Sequence, residues 1–152
     1  MKRILALIML FAGVASAQQI SPTAEEFKGP RAKGFFTVSN AGTTPLLVTV
    51  EAKNLAVAAD GHPSLTADLP NVTVSFKNPQ FKLGPRAVYM VNFDATCTTV
   101  PCHFELLATF APLVRHEGLT VEYHLGTAIY VCSKQKDCRK NTLARLAYPV
   151  QN

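Results

Sequence analysis

The residues with the chemistry for catalysis, metal binding or cross-linking are few. Four cysteines, Cys97, Cys102, Cys132 and Cys138, and four histidines, His62, His103, His116 and His124, are spread over the second part of the chain. Cys97 to His103 resembles a haem-attachment motif, but four residues separate the cysteines where that motif has two. A disulfide loop followed by a histidine at the start of a strand fits the spacing better. No two histidines stand at i, i+2 or i, i+4, so a zinc site would need ligands gathered by the fold alone. Glu122 and His124 share one face of a strand pattern, where His103 or Glu105 could meet them across a sheet. Ser133-Lys134-Gln135-Lys136 has the letters of Ser-x-x-Lys but no partner motif, and Gly-x-Ser-x-Gly and glycine-rich phosphate loops are missing. Tyr89, Tyr123 and Tyr130 fall at strand spacing and read as packing residues. The expectation is a protein that is not an enzyme and carries no metal and no cofactor.

The cysteines are informative about compartment. Lys2 and Arg3, the apolar run Ile4 to Val14 and Ala15-Ser16-Ala17 have the order of a secretory signal peptide with its cleavage site. The predicted division is therefore 1–17 signal peptide, 18–132 folded domain and 133–152 basic tail. In a periplasmic or secreted protein an even number of cysteines implies disulfides. Of three connectivities, the local pairs Cys97–Cys102 and Cys132–Cys138 are favoured, since each closes a short loop beside a strand. Such loops remove little unfolded-state entropy, so each bond pins its loop more than the domain.

Charge argues against nucleic acid as a partner. The formal net charge of +5 falls by two when Lys2 and Arg3 are removed. Lys134, Lys136, Arg139, Lys140 and Arg145 gather in the tail with only Asp137 opposing them. They read as a solvated tail, with contact to an acidic partner or a membrane surface as the functional alternative.

The elements that must position these residues are strands. Glu25-Glu26-Phe27 suits an edge strand after Pro22. Gly34 to Asn40 and Leu46 to Lys53 alternate apolar and polar residues and flank a polar turn, as in a hairpin. Asn54 to Asn71 predicts a loop with at most a short edge strand. Val72 to Phe76, Phe81 to Leu83, Ala87 to Ala95 and Cys102 to Phe110 follow, with a turn at Ala111-Pro112. Gly118 to Cys132 alternates up to Gly126 and then turns apolar through Ala128, Ile129, Tyr130 and Val131, the pattern of a strand covered on both faces. No amphipathic helix is predicted. About seven short strands with frequent Gly and Pro punctuation indicate an all-β, immunoglobulin-like antiparallel β-sandwich.

Several short motifs are similar to the N-terminal immunoglobulin-like domain of periplasmic pilus chaperones, the PapD-like group. They are Phe36-Thr37-Val38-Ser39-Asn40 followed by Gly42-Thr43-Thr44-Pro45 and a strand, Phe81-Lys82-Leu83-Gly84-Pro85 before another, and Gly126 to Val131 near the end. The resemblance implies a non-enzymatic module that binds a protein, such as a pilin-like or envelope subunit, by lending it an edge strand. That edge matches Thr127, Ala128, Ile129, Tyr130 and Val131. The family holds a subunit's terminal carboxylate with an arginine in its first strand and a lysine in its last. Those positions fall here at Ala24 and Ala128, and neither alanine can pair with a carboxylate. The twenty residues after Cys132 leave no room for the family's second domain. The expectation is thus a diverged, single-domain relative. The alternative is a structural or adhesive envelope protein using the fold as a scaffold and the basic tail as its contact.

Overall fold

A computed structural model describes residues 18–57, 63–113 and 121–133. His62, His116, Cys138 and the basic tail cluster lie outside the described residues. Ten strands occur among those described, and no helix. They are β1 (Gln18–Ser21), β2 (Ala24–Lys28), β3 (Arg31–Asn40), β4 (Leu46–Val57) and β5 (Pro63–Thr66), followed by β6 (Val72–Phe76), β7 (Gln80–Leu83), β8 (Val88–Cys97), β9 (Cys102–Pro112) and β10 (Tyr123–Cys132). The count exceeds the expected seven because the first and middle segments divide into short edge strands.

One sheet has the order β1-β3-β8-β6 and the other β2-β10-β9-β4-β5, with β7 also on β4. Alternating side chains from the two inner faces make the core, as the period-two patterns require. Phe36 and Val38 of β3, Val91 and Phe93 of β8, Val48 of β4, Phe104, Leu106 and Phe110 of β9, and Ile129 and Val131 of β10 are all buried there. The segment from Gln18 to Lys28 serves both sheets, β1 pairing with β3 and β2 with β10.

The turn after β3 corrects one expectation. β3 and β4 do not form a hairpin: they lie in different sheets. Asn40, the last residue of β3, is buried and its side chain determines the turn. Its Nδ2 donates to the carbonyls of Thr44 at 2.8 Å and Gly84 at 3.0 Å, and its Oδ1 accepts from the Gly42 N–H at 3.0 Å. The Asn40 N–H donates to Ala87 O, and the Arg86 N–H to Gly42 O. One side chain thereby welds the Gly42-Thr43-Thr44 turn to the Gly84-Pro85 turn and sends the chain across the sandwich. This gives the two short sequence motifs a shared physical cause.

β2 is also tied to the core. Phe27 reaches inward to an edge-to-face contact with Phe93, ring centroids 5.8 Å apart. It passes over Gly34, where a Cβ would come within 3.0 Å of the Phe27 ring and 3.3 Å of Phe93. Gly34 is a glycine because two aromatic rings meet above it. At this same end of the sandwich, where the Cys97 N–H donates to Pro30 O, Cys97 closing β8 and Cys102 opening β9 form a disulfide with a Cα–Cα distance of 6.3 Å. Cys132 is likewise disulfide-bonded.

Candidate functional site

β10 carries the residues Thr127 to Val131 that match the lending edge. Its inward residues Leu125, Thr127, Ile129 and Val131 alternate with outward His124, Gly126, Ala128, Tyr130 and Cys132. The expected double cover is present. Ile129 and Val131 belong to the main core, while Tyr130 and Cys132 form a second buried cluster on the outer face with Ala24 and Ala128. The Cys132 Sγ also lies 3.8 Å from Glu26 Oε1, a contact without a donor since a disulfide sulfur has no proton.

The expected free edge at Thr127 to Val131 is corrected. β10 has a strand on each side: β9 antiparallel from Tyr123 to Val131, and β2 parallel, with Ala128 opposite Ala24 and Cys132 opposite Lys28. The Ala128 N–H donates to Thr23 O at 3.0 Å, and the Gly29 N–H to Cys132 O at 2.8 Å. The backbone groups that a partner of Ala128 to Val131 would need are therefore already used. The aromatic anchor of Phe27 is the reason, and nothing in the β10 sequence reveals it.

Alternation along the strand locates the open groups. Ala128 and Cys132 turn their N–H and C=O toward β2, so Gly126 and His124 turn theirs the same way. β2 begins opposite Ala128, and among the described residues no strand pairs with Gly126 and His124 on that side. The break in pattern at Gly126 is the sequence signal for this spot. A Cβ on Gly126 would overlap the Glu105 carboxyl group, which lies across it from β9. An isolated glycine in a strand pattern marks a close approach of this kind.

One row of the outer face runs Ala24, Ala128, Glu105, Lys53 across β2, β10, β9 and β4. The two positions matched to the chaperones' cationic anchor are thus direct neighbours, and both are alanine. The nearest charge in the row is the carboxylate of Glu105, whose pKa burial pushes up. Lys53 pairs instead with Glu51, at 2.9 Å. Glu25, beside Ile129 on the inward side of β2, is also raised by burial.

The polar residues singled out from sequence are dispersed. His124 Nδ1 lies 3.0 Å from Thr109 Oγ1, and His103 Nε2 lies 2.9 Å from Leu55 O. His103 stands opposite Tyr130 and Glu105 opposite Ala128, so neither meets His124 across the ladder. Among the described residues no three His, Cys, Asp or Glu side chains are placed to hold a metal ion. Tyr89 stacks on Phe81 with centroids 4.0 Å apart, Tyr123 is exposed and Tyr130 is buried on the opposite sheet, so the tyrosines form no common surface.

The architecture is that of the PapD-like immunoglobulin fold. The E. coli chaperone DraB superposes with a TM-score of 0.61 at 15% identity, covering 85% of this chain and 60% of DraB. The SafB chaperone in the Salmonella enterica SafA pilin complex gives the same values. WR4, a C. elegans member of the MSP family, gives a TM-score of 0.54 at 7% identity over 77% of this chain and 99% of its own. The chain thus spans 60% of the length of these two chaperones and nearly all of the single MSP-type domain. No protein-family model matches the chain, and no curated protein matches its sequence.

Proposed function

We propose that this protein is an exported, non-enzymatic binding module that takes an extended segment of another protein by strand addition at the corner of the β2-β10 sheet. Residues 1–17 direct export, 18–132 form the binding domain and 133–152 are a basic tail. The observation that carries the reading is the step between β2 and β10. β10 runs on past the end of β2, leaving the outward N–H and C=O groups of His124 and Gly126 without a strand paired to them among the described residues. Unpaired edge groups of this kind are a template for another chain. The likeness to SafB, seen with a pilin, supports a pilin-like or envelope subunit as the partner. With Ala24 and Ala128 in place of the anchoring cations, the segment is held by backbone bonds and outer-face contacts rather than by its terminal carboxylate.

The test is His124→Pro. The lost N–H faces the partner and not β9, so the ladder with β9 keeps its bonds, a position where an edge strand accepts proline. Binding of extended peptides, read by fluorescence anisotropy on a peptide array, should disappear while the circular dichroism spectrum stays unchanged. Retained binding in a folded His124→Pro protein rejects strand addition at this corner. Ile129 is unsuited to the test, since it is fully buried and a charge there would unfold the domain.

A further inference from the structure

A second open edge lies in the other sheet. β8 pairs with β3 along nearly its whole length, but β6 covers only its far half, ending with Phe76 opposite Phe93. The Asn40 N–H donates to Ala87 O, and the Cys97 N–H to Pro30 O. Odd-numbered residues of β8 therefore face β3, and Val88, Met90 and Asn92 face away from it. Beyond Phe76 no strand among the described residues pairs with them.

The same stretch is apolar and uncovered. Val88 is 67% exposed, Met90 51% and Phe35, on β3 diagonal to Met90, 48%. Between Ala87 and Asn92 there is no charged residue, no proline and no bulge of the kind that protects an edge. Where the chain leaves β6, a shallow notch of about 120 Å³ opens, lined by Lys77, Asn78, Tyr89, Met90, Val91 and Asn92. Asn78 Nδ2 donates to the Tyr89 hydroxyl at 2.9 Å and holds the notch wall.

Charge indicates the partner. Lys77 flanks the open stretch at one end and Arg86 at the other, both exposed. Neither is in an ion pair among the described residues. Arg86 has φ of 54°, a left-handed conformation that glycine or asparagine would adopt at lower cost. The turn Gly84 to Ala87, closed by the Ala87 N–H to Gly84 O and held by the Arg86 N–H to Gly42 O, fixes that conformation. Two cations bracketing an uncharged, apolar edge complement a strand with apolar alternation and acidic ends. They also oppose a second copy of this chain, which would bring the same cations to the same edge.

We infer that Val88 to Asn92 is a second strand-addition edge, which takes an extended peptide with an alternating apolar centre and acidic residues at its ends. The inference does not depend on the β10 corner. It is tested with the full exported chain and an acetylated, amidated peptide Glu-Val-Thr-Val-Thr-Val-Glu, against a counterpart with lysine at both ends. Binding is read by anisotropy, and amide hydrogen exchange by NMR. The acidic-ended peptide should bind more tightly and protect the amides of Val88, Met90 and Asn92. The double charge reversal Lys77→Glu/Arg86→Glu should shift the preference toward the lysine-ended peptide by about 10-fold, as expected for two rim charge pairs. Met90→Pro, which removes an outward donor, and Met90→Glu, a surface change that leaves the fold intact, should each weaken binding of the acidic-ended peptide. Equal affinity for the two peptides, no binding up to millimolar concentration, or protection confined to His124 and Gly126 overturns the inference. Concentration-dependent protection of the same amides without peptide overturns it in favour of a second copy.

Discussion

Replacing Asn40 by alanine should be among the most damaging polar substitutions in the domain. The side chain makes three hydrogen bonds, to Thr44 O, Gly84 O and the Gly42 N–H. At about 1 kcal/mol net each, their loss costs about 3 kcal/mol. The partner groups belong to the exposed Thr44 and the half-buried Gly42 and Gly84, so water can replace part of what is lost and the expected loss stays at roughly 3 kcal/mol. Against a typical total of roughly 5–15 kcal/mol this is a large fraction. It corresponds to a fall in melting temperature of roughly 10 °C or more for a chain of this size.

Asn40→Asp separates hydrogen bonding from shape. The carboxylate is isosteric and can still accept from Gly42, but it turns two donors into an oxygen facing two carbonyl oxygens. Ionisation is disfavoured there, so the folded-state pKa rises above the ordinary carboxylate value. The folded state then holds its proton to a higher pH than the unfolded chain. Stability of Asn40→Asp should therefore fall as pH rises from about 4 through the raised pKa and level off beyond it. Urea unfolding followed by circular dichroism, at pH 4 and pH 7, measures both variants. A loss under 1 kcal/mol for Asn40→Ala, or an Asn40→Asp protein with the pH response of the parent, would refute the assignment of the turn to this side chain.

Other perturbations probe the rest of the sandwich. The Thr127 hydroxyl is fully buried without a hydrogen-bond partner among the described residues, so the nearly isosteric Thr127→Val should raise stability by about 1 kcal/mol in urea titration. Glu105→Gln should stabilise the fold at neutral pH by less than about 1 kcal/mol, since water screens the exposed half of the group. Because the Glu105 pKa is raised by burial, the folded state holds that proton more tightly than the unfolded state. The advantage of the glutamine should therefore vanish as pH drops below the unfolded pKa of about 4.3. Replacing Cys97 and Cys102 together by alanine opens a loop with a sequence separation of 5 and should cost about 2 kcal/mol, seen as a lower midpoint in urea. Phe27 is only half-buried, so Phe27→Ala should cost roughly 2–3 kcal/mol, less than a core phenylalanine, and loosen β2 first, so amide exchange at Ala128 should accelerate more than at Ile129, whose N–H faces β9.

Local patterns made most of the fold legible. Period-two alternation in β3, β4, β8 and β9 identified their buried faces, because a half-buried strand must place every second side chain in the core. The apolar run at Ala128 to Val131 disclosed a strand covered on both faces. Pairing was not legible in the same way. The turn after Asn40 contains the residues of a hairpin turn, and only the distant Gly84 carbonyl reveals that the chain is crossing between sheets. Thr127 to Val131 has the pattern of a lending edge, yet whether it is free depends on Phe27, one hundred residues earlier and itself unremarkable in a short polar segment. Backbone hydrogen bonds carry no side-chain signature, so an occupied edge and an open one have the same sequence.

The two edges left uncovered among the described residues follow from one geometric fact. Each is a long inner strand that outruns a short outer one, β10 past β2 and β8 past β6. In both cases the outer strand stops where its chain is pulled toward the opposite sheet, β2 because residues 18–21 are committed to β3 and β6 because Gln80–Leu83 are committed to β4. A sandwich whose outer segments serve both sheets cannot cover the full length of either inner strand. The exposed backbone is therefore built into the topology, and the residues around it decide what it can hold. At the β10 corner these are Ala24, Ala128 and the neighbouring carboxylate of Glu105. At the β8 edge they are Val88, Met90, Lys77 and Arg86. The opposite charge of the two surroundings predicts that a peptide suited to one edge is a poor ligand for the other.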